Sequence, residues 1–288
     1  MISMLEVAHS SEVAHSSTVR AKQSRGGANR GIHAARTMDG EIFATIVGGF
    51  VERFPALDLF ARVAAIRHQI TGRVVFTTSF GLEDQAIAHA IFAQALAIDV
   101  ATLDTGRLFP ETYDVWARTE RRYGVRVLAF TPEHRAVEAM IARQGIDGFR
   151  SSVEARLDCC AVRKVAPLAR ALDGGAAWIT GLRADQSAGR GQLLPALFDE
   201  ERRLIKVNPL FDWTRERTRE FVRAHDVPCN ALHERGFLSI GCAPCTRAVM
   251  PGEPERAGRW WWEQSQHKEC GLHVAHDAPA TSANALQK

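Results

Sequence analysis

The sequence predicts an α/β protein built on a doubly wound, mostly parallel sheet, with a mobile C-terminal tail. Three observations carry that reading. Short β-branched runs alternate with amphipathic stretches of helical period, the order expected of a parallel sheet covered on both faces. These runs open into turns rich in Ser, Thr, Gly or Asp, where open sheets of this kind bind ligands. The chain has 288 residues and is 46% hydrophobic, enough for one substantial core.

Order begins with PALDLFARVAAIRHQI, where Leu59, Val63, Ile66 and Ile70 recur at helical spacing and Gly72 supplies a stop. GRVVFTTSFGLEDQAIAHAIFAQAL reads as a strand, a turn and an amphipathic helix, and IDVATLDTG repeats the strand-then-turn pattern. PETYDVWARTERRYG gives a helix with Pro110 near its first turn, and VRVLAF gives a third strand. CCAVRKVAPLARALDG reads as helical despite Pro167, AAWITG as a further buried strand, and TRERTREFVRAHDV as a late helix. The candidate ligand loops are therefore TTSFGLED, with Thr78, Ser79 and Gly81; LDTGR, with Asp104 and Arg107; and TGLRADQSAGR, with Arg183.

Residues 6–17 form a tandem hexapeptide, EVAHSSEVAHSS, and Ser, Gly, Arg and Asn dominate up to about Gly40. Residues 1–40 are accordingly expected to be a disordered extension. No apolar run is long enough to cross a bilayer, and the N-terminus lacks the order of a secretory signal, so a cytoplasmic protein is expected. A formal charge of +3 argues against a nucleic-acid partner, whereas Arg163-Lys164 and the Arg256–Arg259 cluster suit a small anion.

Six cysteines in a reducing compartment point to metal binding, redox chemistry or burial rather than to disulfides. Cys159 and Cys160 are adjacent, and Cys242 and Cys245 form a CxxC, which together make four potential thiolate ligands. A CxxC alone is ambiguous among zinc, iron-sulfur and redox uses. The adjacent pair favours one 4Fe-4S cluster per chain, whose separate iron corners accept neighbouring residues, over zinc and over packed free thiols. Cys229 reads as a buried filler. Cys270, in HKECGLH, lies beside Lys268 and Gly271; nearby positive charge lowers a thiol pKa and glycine permits close approach, while an exposed cysteine in a tail is the alternative. The Trp260-Trp261-Trp262 run reads as aromatic area that packs the C-terminal segment onto the body.

Several motifs spread from about Pro55 to His273 then become recognisable: LDTGRLFPETY, CCxxRK, TGLRxDQSxxR, NPLxxWT, GCxPCTRAVxPGExxRAGRWWWE and KECGLH. In these the chain resembles the assimilatory adenylyl-sulfate reductases, the iron-sulfur branch of the phosphosulfate reductase family. The resemblance implies an adenine-nucleotide alpha-hydrolase-like fold and reduction of adenosine 5'-phosphosulfate to sulfite and AMP, in sulfate assimilation and cysteine biosynthesis. It implies thioredoxin (or glutaredoxin) as electron donor, and a homo-oligomer is compatible with it. Residue by residue it assigns Cys159, Cys160, Cys242 and Cys245 to the cluster, Cys270 to the nucleophile, and Lys164, Arg183, Arg256, Arg259 and His273 to the substrate. SFGLED departs from the SGAED form common in that branch and shares SFG with the phosphoadenylyl-sulfate reductases. On this reading residues 41–255 form the nucleotide-binding reductase domain with the iron-sulfur site, 256–276 the catalytic C-terminal segment and 277–288 a disordered tail.

The implied chemistry is attack of a cysteine thiolate on the sulfur of a mixed anhydride, leaving an S-sulfocysteine that a second thiol reduces. Three other functions compete with it. A reductase of the 3'-phosphorylated analogue keeps the same motifs. An iron-sulfur tRNA thiolase calls for an SGGxDS loop and a stronger basic surface. A zinc-binding interaction module leaves LDTGR, TGLRADQS and KECGLH unused.

Overall fold

The computed structural model describes residues 28–187, 190–263 and 272, with side chains from residue 40. Residues 1–41 and 42–288 are separate compact units. A helix, α1 (Ala28–Arg53), begins inside the stretch 1–40, which its polar composition predicts to lack structure. No proline interrupts this window, so nothing in the backbone stops the helix earlier. Residues 1–27 and the tail 277–288 lie outside the described residues.

The expected strands are present as β1 (Arg73–Thr78), β2 (Asp99–Leu103), β3 (Leu128–Phe130) and β4 (Gly175–Ile179). Two further strands, β5 (Ala196–Asp199) and β6 (Leu204–Val207), form a hairpin not read from the sequence. The sheet order is β3-β2-β1-β4-β6-β5, parallel except for β5 against β6. Alternate side chains go to opposite faces, as the pleat requires. Val74, Phe76, Ala177, Ile179, Ile205 and Val207 join one core, whereas Val75, Trp178 and Leu204 join the other. Helices α2 (Leu59–Gln69), α3 (Leu82–Ala93) and α8 (Arg215–Ala224) cover the first face. Leu168, Ala171 and Leu172 of α7 (Ala166–Leu172) cover the second.

Helix α4 (Pro110–Tyr123) ends on Gly124 in the left-handed conformation, φ 65°, and α5 (His134–Gln144) precedes α6 (Val153–Cys160). Beyond α6 the path of the chain is set by Pro167. It cannot donate to the carbonyl four residues back, and its ring crowds that carbonyl. The chain adopts a π-helical turn over Ala161–Val165, and α7 starts with Pro167 in its first turn, where no N–H is needed. The stretch read as helical is helical from Cys159 to Leu172, with a π-helical turn between α6 and α7 that carries Arg163 and Lys164.

Arg62 ties α2 to the loop after β6. It is 1% exposed, with Nη1 and Nη2 on the Asp212 carboxylate at 2.6 and 2.8 Å, Nε on the Phe54 carbonyl at 2.8 Å and Nη1 also on the Pro209 carbonyl at 2.7 Å. Arg62 is buried while Asp212 is half-buried, so removing the arginine strands two carbonyl acceptors and leaves the carboxylate without its partner. Arg62→Ala is expected to cost about 3 kcal/mol in urea unfolding; a loss under about 1 kcal/mol would place the pair in the class of screened surface bridges.

Candidate active site

The sheet order turns at β1, which lies between β2 and β4, so the loops after β1 and β4 part at their carboxyl ends. Open sheets bind ligands at that position. A cleft with a cavity volume of about 210 Å³ opens there, lined by Ser79 and Gly81 after β1, Thr105 after β2 and Gly181 after β4.

The loop after β1 is held from within. Phe80 has φ 57°, a strained value for a bulky residue, and is fixed by burial and by stacking on Trp116 at 5.4 Å. Gly81 then caps α3. The Asp84 carboxylate accepts from Ser79 N and Oγ at 2.6 and 2.8 Å. A Cβ on Gly181 would lie 2.2 Å from Asp84 Oδ1, so only glycine lets the two loops close on each other.

A second cavity lies next to the cleft. Cys159, Cys160, Cys242 and Cys245 all line it, with Arg107 and Arg163. Lys164 and Cys242 line both spaces and form their common wall. The π-helical turn presents Arg163 and Lys164 directly after the cysteine pair. The CxxC segment is fastened to the LDTGR loop by Ala243 N donating to the Arg107 carbonyl at 2.8 Å and by the Thr105 Oγ1–Cys242 Sγ contact at 3.2 Å. The chain then returns over it: Arg247 N donates to Gly258 O at 3.0 Å and Trp260 N to Cys245 O at 3.1 Å. A Cβ on Gly241 would sit 2.2 Å from Arg259 Nη2, so glycine admits that arginine to the cleft. Trp260 is 1% exposed between the guanidinium groups of Arg156 and Arg259, and Trp262 packs on the cysteine cluster. Residues 256–263 thus belong to the body of the protein.

Burial opposes ionisation of Cys242, yet Lys164, the Thr105 hydroxyl, Arg259 and Arg163 outweigh it and hold this thiol below the ordinary value. Burial, together with the Cys242 charge, pushes Cys245 up to about 12, and burial also raises Cys159. Among the described residues no three His, Cys, Asp or Glu side chains converge as ligands of a single ion. The four thiols instead surround a space, and Arg163 Nε, Trp260 Nε1 and Trp262 Nε1 are buried nearby without a partner. Soft donors on several sides, with unspent N–H groups around them, suit a sulfur-containing multinuclear cluster better than a tetrahedral zinc ion.

Most residues expected from the sequence meet at these two spaces. Thr78, Ser79, Gly81, Lys164, Arg256 and Arg259 line the cleft. Asp104 braces its own turn, accepting from Gly106 N at 2.9 Å and Tyr113 Oη at 2.7 Å. Arg107 donates to the Ile146 carbonyl at 2.6 Å and faces the cysteine cavity. Arg183 is fully buried on carboxylates and is not among the cleft-lining residues. Cys270 and His273 lie outside the described residues; Leu272, between them in sequence, lines the cleft and packs on the second core. Arg190 and Thr105 line the cleft and were not singled out, although they stand in the TGLRADQSAGR and LDTGR motifs.

The phosphoadenosine phosphosulfate reductase domain matches residues 73–248, the span that carries the sheet, the cleft lining up to Cys242 and all four cavity cysteines, while Arg256 and Arg259 follow it. The chain belongs to the phosphoadenosine phosphosulfate reductase domain family. Within this family it is 53% identical over 229 residues to the adenosine 5'-phosphosulfate reductase of Agrobacterium fabrum, covering 79% of this chain and 88% of that protein. It is 50% identical over 206 residues to the adenosine 5'-phosphosulfate reductase of Allochromatium vinosum, covering 72% and 80%. The solved phosphoadenylyl-sulfate reductase of Candida auris, a phosphate complex, shares the family fold at a TM-score of 0.60 and 24% identity, over 70% of this chain and 96% of that one.

Asp84 gives the cleft a pH signature. Burial raises its carboxyl from 3.8 to about 6, against the hydrogen bonds from Ser79. A carboxyl raised on folding contributes stability that is present below its unfolded value and is lost as pH rises through its folded value. Melting temperatures between about pH 4 and pH 7 should therefore contain a decline that Asp84→Asn removes; an unchanged slope in the variant would contradict this assignment.

Proposed function

We propose that the protein reduces adenosine 5'-phosphosulfate to sulfite and AMP in cytoplasmic sulfate assimilation and cysteine biosynthesis. The observation that carries this reading is the common wall: a cleft at the sheet's switch point shares Lys164 and Cys242 with a cavity lined by four cysteines. The names of the relatives at about half identity point to the same substrate.

In this reading Cys159, Cys160, Cys242 and Cys245 hold a 4Fe-4S cluster. The cluster supplies a fixed charge beside the substrate, while the thiol chemistry accounts for both electrons. Lys164, Arg190, Arg256 and Arg259 gather around the phosphosulfate, whose bridging oxygen gains charge as AMP leaves, and backbone N–H groups at the start of α3 add to them.

The Cys270 thiolate attacks the sulfate sulfur, the S–O bond to the phosphate breaks, and AMP departs with the bridging oxygen. A thioredoxin thiolate then attacks the Cys270 sulfur, releasing sulfite and forming a mixed disulfide. The second thioredoxin thiol resolves that disulfide, so the oxidised product is thioredoxin disulfide and Cys270 returns as a thiolate. Residues 41–255 act as the reductase domain and 256–276 as the C-terminal segment, whose part up to Glu263 packs on the body and whose remainder brings in the nucleophile.

Substrate without reductant should release about one AMP per active chain and leave a sulfonate adduct on the peptide containing KECGLH, read by mass spectrometry. Cys270→Ser should keep nucleotide binding and form no adduct. An adduct on Cys229, or near-normal sulfite production by that variant, would contradict the nucleophile assignment.

A further inference from the structure

Arg183 makes a buried crossroads behind the cleft. Its Nε donates to Glu83 Oε1 at 2.8 Å, Nη1 to Asp185 Oδ2 at 3.1 Å, and Nη2 to both Glu255 oxygens at 3.0 and 2.8 Å. Burial disfavours its charge, but Glu83 and Glu255 more than offset this and hold the guanidinium charged. Arg215 shares Glu255 at 3.4 Å, takes Asp185 on its backbone N–H at 3.3 Å and donates to the Leu238 carbonyl at 2.9 Å.

These partners come from different walls. Glu83 sits in the first turn of α3, directly behind the Ser79–Gly81 loop. Glu255 immediately precedes Arg256, and Arg259 follows one turn later. A planar fork that binds two carboxylates fixes both their distance and their angle, which a lysine point charge does not do.

We propose that Arg183 is a positioning residue: it sets the separation between the loop after β1 and the Arg256–Arg259 edge, and does not itself touch the substrate. This rests on the reading of the cleft as a sulfonucleotide site.

The decisive variant is Glu255→Gln in the holoprotein. If cleft charge alone mattered, removing an acid would tighten binding of adenosine 5'-phosphosulfate and lower KM. Positioning predicts the reverse, a KM raised about tenfold, with the same direction in Arg183→Lys. The double variant Arg183→Gln/Glu255→Gln should be no worse than the weaker-binding single, since both act through one contact. The visible spectrum and melting temperature of Glu255→Gln serve as folding controls, and Glu83→Gln replaces it if it is unstable. A lowered or unchanged KM in the Glu variant, or single effects that multiply in the double, would overturn the proposal. Failure of the wild-type protein to release sulfite from this nucleotide would instead contradict the functional reading.

Discussion

The attachment of the CxxC segment to the loop after β2 is the contact on which the site depends. The Thr105 hydroxyl meets the Cys242 thiol, and Ala243 N meets the Arg107 carbonyl, across a separation of 137 residues between Thr105 and Cys242. That contact places a late, irregular segment at the carboxyl ends of early strands. Cys242 thereby faces the cleft on one side and the cysteine cavity on the other. The π-helical turn completes the arrangement from the opposite direction, since it carries Lys164 to the same wall directly after Cys159 and Cys160.

The electrostatics divide into two populations of arginine. Arg259 retains a buried Nε without a partner and lines the cleft beside Arg190 and Arg256, so part of the positive charge is directed at the ligand space. Arg62, Arg156 and Arg183 are equally buried but meet Asp212, Glu263 and Glu83 with Glu255, and serve the frame. A thiolate approaching an anionic phosphosulfate needs the first population, and the geometry of the first depends on the second.

The strands β1 to β4 and their ligand turns were legible because β-branched runs ending in Ser, Thr, Gly or Asp have local causes. The hairpin β5-β6 was not, because ALFD and LIKV are short runs without a sustained alternation, and they are strands by virtue of pairing with each other and with β4. The stretch around Pro167 was legible as helical, but not the π-helical turn that precedes the proline. Motif spacing identified the four cavity cysteines and most of the cleft cations. It gave no means of telling Arg183 from Arg190, because which guanidinium meets a carboxylate is decided by loops that are distant in sequence.

If four thiolates around one space, with unspent N–H groups beside them, are built to hold a multinuclear cluster, the metal content of the protein tests the account most directly. Anaerobically purified protein should contain about four irons and four acid-labile sulfides per chain, with broad visible absorbance, and should lose all three on Cys242→Ser. Stoichiometric zinc with no inorganic sulfide would contradict it.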